Sequence, residues 1–264
     1  AQVTLTAVQD TLVNITAIDA LTTSEVTMAA ATATITDAGV TKANLDTANG
    51  FTSGDVTALT MSDTRANVDA AHSATGITLA ATNITVTDQV TKSQADAING
   101  YTTGQVVLNS VSATVSDLAL IEATNDAVMK FADNGAISVS DAATKANADT
   151  INAYTTGQVT LTAVSDTVAN VTAIDGLTTS EVTMAAATVN VTDAATKANA
   201  DALNGFTTAQ VTLTAVQDTL ANITAIDGLT TSEVTMAAAT ATITDAGVTK
   251  ANLDTANGFT TGDV

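Results

Sequence analysis

The sequence predicts an α/β repeat: a parallel β/α solenoid of about ten strand–helix coils, curved or superhelical, with an all-β parallel β-helix as the alternative. Two observations carry this reading. Residues 1–56 recur at 209–264, a shift of 208, with only Val13/Ala221, Ala20/Gly228 and Ser53/Thr261 differing. Within each copy, short runs alternating apolar and polar residues are followed by Ala- and Asn-rich runs of helical spacing.

A shorter period underlies the long one. The segment 159–181 returns at 211–233, a shift of 52, so the 208-residue super-repeat is four copies of a 52-residue double coil. A short coil of 23 residues (159–181) alternates with a long coil of 29 (182–210), an average of 26. The whole of 1–264 therefore reads as one continuous array. The pattern runs past both ends, which is the expectation for a window on something longer. Coil five, with Lys130 and Phe131, is the least regular.

Strands open each coil. Val3-Thr4-Leu5-Thr6, Ile84-Thr85-Val86-Thr87 and Val189-Asn190-Val191-Thr192 have period two and β-branched residues, with Val, Ile and Leu facing inward. An Asp then follows in every coil: Asp10, Asp37, Asp63, Asp88, Asp117, Asp141, Asp166, Asp193, Asp218 and Asp245. A carboxylate at that place is expected to be the helix N-cap. About three helical turns should follow, with Val168, Val171, Ile174 and Leu177 forming one apolar face. Gly50, Gly100, Gly176, Gly205, Gly228 and Gly258 then read as left-handed helix stops, each followed by an apolar residue. A Thr-Thr turn leads into the next strand.

One polar position recurs six residues before the glycine place: Asn14, Asn44, Asn67, Gln94, Asn147, Asn170, Asn199, Asn222 and Asn252. Asn is a mediocre helix residue, so a stacked amide ladder between coils is the expectation, against solvent-facing Asn copied by duplication. Lys42, Lys92, Lys145, Lys197 and Lys250 mark the long coils and read as a solvated stripe.

Composition narrows the function. The net charge of −20, from 27 acidic and seven basic side chains, repels nucleic acid and anionic membrane surfaces. Cys, Pro and Trp are absent, Thr supplies 56 residues, and His72 is the only His. No nucleophile, base and oxyanion site converge in one coil, so a catalytic role is not expected. No cofactor is expected either; the acidic turns leave calcium open, although no known calcium-loop pattern is present. No apolar run is long enough for membrane insertion.

The repeat Val-Thr-Asp-Ala-Ala-Thr-Lys-Ala-Asn-Ala-Asp-Ala-Leu-Asn-Gly (191–205) resembles the Thr- and Ala-rich arrays of giant bacterial surface proteins, cyanobacterial and proteobacterial, including motility-associated ones. The resemblance implies an extracellular or cell-surface rod. It leaves three roles: a filament, fibre or surface layer built by self-association or by continuation of the same chain; an adhesin stalk contacting surface glycans; and an ice-binding Thr lattice.

Overall fold

The structure is a computed structural model, and it describes residues 2–21, 25–124, 127–177, 181–229 and 233–264. Parallel strands alternate with short helices throughout these residues, which rules out the all-β alternative. Parallel neighbours cannot be joined by a hairpin, so each connection must cross over, and here a helix of about two turns makes the crossing.

The chain divides into two compact units, residues 1–112 with 117–135, and residues 113–116 with 136–264. In the first, β1 (Val3–Thr4) pairs with β3 (Val26–Thr27). Strands β2 (Ala7–Asp10), β4 (Thr32–Ile35) and β5 (Val56–Ala58) form a second parallel set. A third comprises β6 (Thr60–Asp63), β7 (Asn83–Val90) and β8 (Val106–Ala113). The helices are α1 (Leu12–Asp19), α2 (Lys42–Asn49), α3 (Arg65–Ser73) and α4 (Lys92–Asn99). The chain passes between units at the last residue of β8, within α5 (Val115–Glu122) and within β9 (Met129–Ala143).

In the second unit the end of β9 pairs with β10 (Val159–Asp166). Strand β10 also pairs with β11 (Val182–Thr183) and β12 (Thr188–Ala195). Strand β13 (Val211–Asp218) pairs with β12, β14 (Val234–Thr235) and β15 (Thr240–Ile243). The helices are α6 (Lys145–Asn152), α7 (Val168–Asp175), α8 (Lys197–Phe206), α9 (Leu220–Asp227) and α10 (Lys250–Asn257).

Alternation within the strands decides which side chains form the core. Val159 and Leu161 are buried while Thr162 is exposed. The long-repeat strands β7, β9 and β12 carry an extra residue against the short neighbour that follows: Val191 to Ala194 on β12 spans Leu213 to Ala215 on β13. That β-bulge falls at Asp193 and turns its side chain off the ladder.

The helices are shorter than the sequence implies, typically eight residues, and their buried face is narrower. In α7 only Val171 and Ile174 are buried; Val168 and Leu177 are half-exposed. Two turns offer one helical side chain per turn to the core, and the strands supply the rest.

The glycine stops also differ from expectation. Gly50, Gly100, Gly176, Gly228 and Gly258 do sit at the C-cap, but all are right-handed, with φ between −71° and −74°. Gly205 lies inside α8, whose C-cap is Thr207. The chain leaves α2 by tightening: Phe51 N donates to Ala48 O, three residues back. That exit needs no positive φ, and Ala20 and Ala153 occupy the same C-cap position at −71° and −76°. Among the described residues the left-handed glycines are Gly39, Gly76 and Gly247. Gly39 and Gly247 sit in the long-repeat segments where three residues separate the Asp from the helix cap.

Candidate functional site

The N-cap of α1–α4 and of α6–α10 is Thr, not Asp. Thr11, Thr41, Thr64, Thr91, Thr144, Thr167, Thr196, Thr219 and Thr249 hold extended backbone angles, and each Oγ1 accepts from the amide three residues on. The Asp residues cannot do this, because they lie one to four positions earlier, within two residues of a strand end on one side or the other. Asp117 is displaced the other way, into the first turn of α5. The true equivalent in that repeat is Ala113, where the series of carboxylates is broken.

The carboxylates reach instead to the repeat before. Leu12 N donates to Asp37 Oδ2 at 2.6 Å, and Lys42 N to Asp63 Oδ2 at 2.8 Å. Arg65 N donates to Asp88 (2.6 Å), Val115 N to Asp141 (2.8 Å) and Lys145 N to Asp166 (2.8 Å). Val168 N, Lys197 N and Leu220 N donate to Asp193 (2.8 Å), Asp218 (2.9 Å) and Asp245 (2.6 Å). In every case the amide is the first of its helix. A carboxylate there satisfies an otherwise orphaned donor and opposes the positive end of the helix dipole. The Asp of one repeat thus completes the helix of the repeat preceding it.

The two repeat types solve the remaining geometry differently. In short repeats the Asp immediately precedes the Thr. Asp63 Oδ1 accepts from Thr64 N (2.8 Å) and from Asn67 Nδ2 (2.7 Å). Asp10 with Asn14, Asp166 with Asn170 and Asp218 with Asn222 repeat the arrangement. In long repeats two or three residues intervene, so the Thr amide needs another acceptor. Asn44, Asn147, Asn199, Asn252 and Gln94 turn back to supply it, closing a capping box. The expected amide ladder is therefore not formed: every one of these side chains bonds within its own repeat, and none is buried. Local partners three or four residues away outcompete a neighbour one repeat distant.

These bonds set the charge state of the Asp residues. The Asn14 amide and Thr11 N hold Asp10 below the usual carboxylate range. Lys197 N, then Asn222, lower Asp218. Burial pushes Asp166 up, but Lys145 N, Asn170 and Thr167 N together outweigh it and the net shift is downward.

Threonine has a second role that the sequence pattern did not reveal. The Thr-Thr (or Thr-Ser) pair after α2, α4, α8 and α10 is fastened to the Ala-rich turn that opens the same repeat. Thr207 Oγ1 donates to Ala187 O at 2.6 Å and Thr208 Oγ1 to Ala185 O at 3.0 Å. Thr102 and Thr103 do the same to Thr82 and Ala80, and Thr260 and Thr261 to Ala239 and Ala237. Thr22-Thr23, Thr178-Thr179 and Thr230-Thr231, the short-repeat pairs, lie outside the described residues. The lysine stripe pairs along its own helices, as Lys42 with Asp46, Lys92 with Asp96, Lys145 with Asp149, Lys197 with Asp201 and Lys250 with Asp254.

One cluster departs from the repeat. His72 stacks on Tyr101, centroids 3.8 Å apart and planes 9° from parallel. Tyr101 Oη donates to Asp69 at 3.1 Å, and Asp69 pairs with Arg65. Burial, then the bond to Asp69, raises the Tyr101 pKa. The cluster ties α3 to the turn after α4. Among the described residues no group of three or more acidic or His side chains is placed to hold a metal ion, and no helix is long and apolar enough to cross a membrane.

The same surface groove recurs 208 residues apart. Leu12, Val13, Asp37 and Val40 line one of about 260 Å³; Leu220, Ala221, Asp245 and Val248 line its counterpart of about 450 Å³. The loss of two methyl groups at Val13/Ala221 is the sequence difference in its lining.

No protein family, curated protein or solved structure matches the chain.

Proposed function

We propose that the chain is a structural element: a parallel β/α solenoid that serves as the rod of an extracellular filament, fibre or surface layer on a bacterial cell. One observation carries this reading. The carboxylate-to-amide bond between neighbouring repeats recurs from Asp37 to Asp245, so the most regular polar chemistry in the sequence is spent on holding repeat to repeat. The outward Thr residues are similarly engaged, as Thr162 Oγ1 with Val139 O and Thr214 Oγ1 with Val191 O, which counts against a free ice-facing lattice.

Two measurements test the proposal. Small-angle scattering of the chain should give a radius of gyration well above the ~18 Å of a compact globule of this length. Immunogold electron microscopy of intact cells, with antibody raised to residues 1–264, should decorate surface fibres or a continuous layer along their length. A compact scattering profile removes the solenoid, and label confined to the cell interior removes the surface role.

A further inference from the structure

We propose that the joint between the fourth and fifth repeats is a prepared opening point, where the rod parts while the repeats on either side stay folded. This rests on the rod reading above and adds the place at which the rod yields.

Among the described residues four joints run from a long repeat into the short repeat after it, and their backbone is alike. Ala33 N donates to Asp55 O at 2.9 Å, Ile84 N to Gln105 O at 2.8 Å, Ile137 N to Gln158 O at 3.0 Å and Val189 N to Gln210 O at 3.0 Å. The strand pairs β7–β8, β9–β10 and β12–β13 share one register, bulge included. The buried side chains correspond as well: Val106, Leu108 and Val111 of β8 match Val159, Leu161 and Val164 of β10. The difference lies in the side-chain bonds laid across the joint.

Two such bonds clasp the joints after the sixth and eighth repeats. The first uses a carboxylate: Lys145 N donates to Asp166 and Lys197 N to Asp218. The second uses a hydroxyl: Thr162 Oγ1 donates to Val139 O and Thr214 Oγ1 to Val191 O, both at 2.7 Å. The joint after the second repeat keeps only the first kind, Lys42 N to Asp63, with Leu59 at the threonine place. The joint after the fourth repeat has neither. Ala113 stands where Asp166 stands and offers Lys92 N no carboxylate, and Asn109 stands where Thr162 stands, without the hydroxyl.

The missing carboxylate has moved by one helical turn. Asn67, Asn170 and Asn222 each follow their Asp by four residues, and the residue four after Ala113 is Asp117. Asp117 lies in the first turn of α5, where it opposes the dipole of its own helix. Val115 N, at the head of α5, still donates to Asp141 at 2.8 Å. The fifth repeat therefore keeps its carboxylate bond to the sixth and gives up the one that would anchor α4. Along a rod under tension every joint bears the same load, so the joint with the fewest cross-bonds parts before its neighbours.

Native-state amide exchange, followed by NMR on residues 1–264, reads the opening of the two central joints at Ile84 and Ile137. No substitution below touches either residue, so their rates, corrected for local sequence, report the joint itself. Each clasp should count for about tenfold in the opening equilibrium, and Ile84 should exchange about a hundredfold faster than Ile137. Ala113→Asp together with Asp117→Asn should slow Ile84 about tenfold, and Asn109→Thr added to them about tenfold more. Asp166→Ala with Asn170→Asp should transfer the weakness, speeding Ile137 about tenfold and leaving Ile84 as it was. The parent and the transfer variant decide the matter even where the restored chain does not fold. The proposal is overturned if Ile84 in the parent exchanges no faster than Ile137, if a folded restored chain leaves Ile84 unchanged, or if the transfer leaves Ile137 unchanged. Labelled fibres on cells combined with any of those results would leave the filament reading standing and remove only the opening point.

Discussion

Helices α2 and α10 are the same eight residues, Lys-Ala-Asn-Leu-Asp-Thr-Ala-Asn, with the same capping box and the same right-handed glycine exit. Their environments are not the same. Leu45 is fully buried where Leu253 is 45% exposed. The Lys42 side chain is 21% exposed and the Lys250 side chain 85%. Local sequence therefore suffices to build, cap and end the helix. What it cannot do is bury the helix's outer flank, which is the work of the repeat that follows. Stability in such an array lives at the interfaces between repeats as much as within them.

The largest test of that contrast is truncation of the shared leucine. Leu45→Ala should cost about 2–5 kcal/mol, the range for emptying a filled core site. Leu253→Ala should cost less than about 1 kcal/mol, as a surface change does. Urea denaturation of both variants measures the difference, and equal losses would mean that α10 is packed as α2 is.

Next comes the carboxylate. Asp63→Ala removes an acceptor from Lys42 N, Thr64 N and Asn67 together. It should cost about 1–2 kcal/mol and bring amide exchange at Lys42 toward that at Lys250. Acid should act on the same bonds. Asp10, Asp166 and Asp218 are held below their ordinary value of 3.8 in the folded chain. The unfolded chain therefore binds their protons more readily, and their contribution is complete above that value. It is lost as pH falls through the lower, folded value. A fall in melting temperature confined to strongly acidic solution is the expected result; a fall already complete near neutrality would exclude these groups.

The smallest effect concerns helix exits. Gly228→Ala, which copies Ala20, should stabilise by about 0.4–1 kcal/mol because it stiffens the unfolded chain without straining a right-handed cap. A left-handed exit would give the opposite sign in the same denaturation experiment.

The repeat lengths, the strands and the buried Val, Ile and Leu positions were legible because periodicity reports them directly. Capping was legible only in part. Asp next to a helix start is a good N-cap by composition, and nothing local distinguishes it from the Thr beside it. Its actual partner lies 21 to 26 residues earlier, beyond the reach of any local motif. Each recurring Asn has a fixed partner, as its regularity implies, but the partner is three or four residues away rather than one repeat away. The right-handed glycine exits are legible in the sequence itself. Ala20 in one copy and Gly228 in the other already imply that the position tolerates a Cβ.

The backward reach of each Asp also has a meaning in time. A helix such as α2 emerges from the ribosome before Asp63 does, so its first amide waits for roughly one more repeat of elongation. At about 5–20 residues per second that delay is on the order of 1–5 seconds. Maturation of the array then trails elongation by a constant step, moving in one direction from the first repeat to the last.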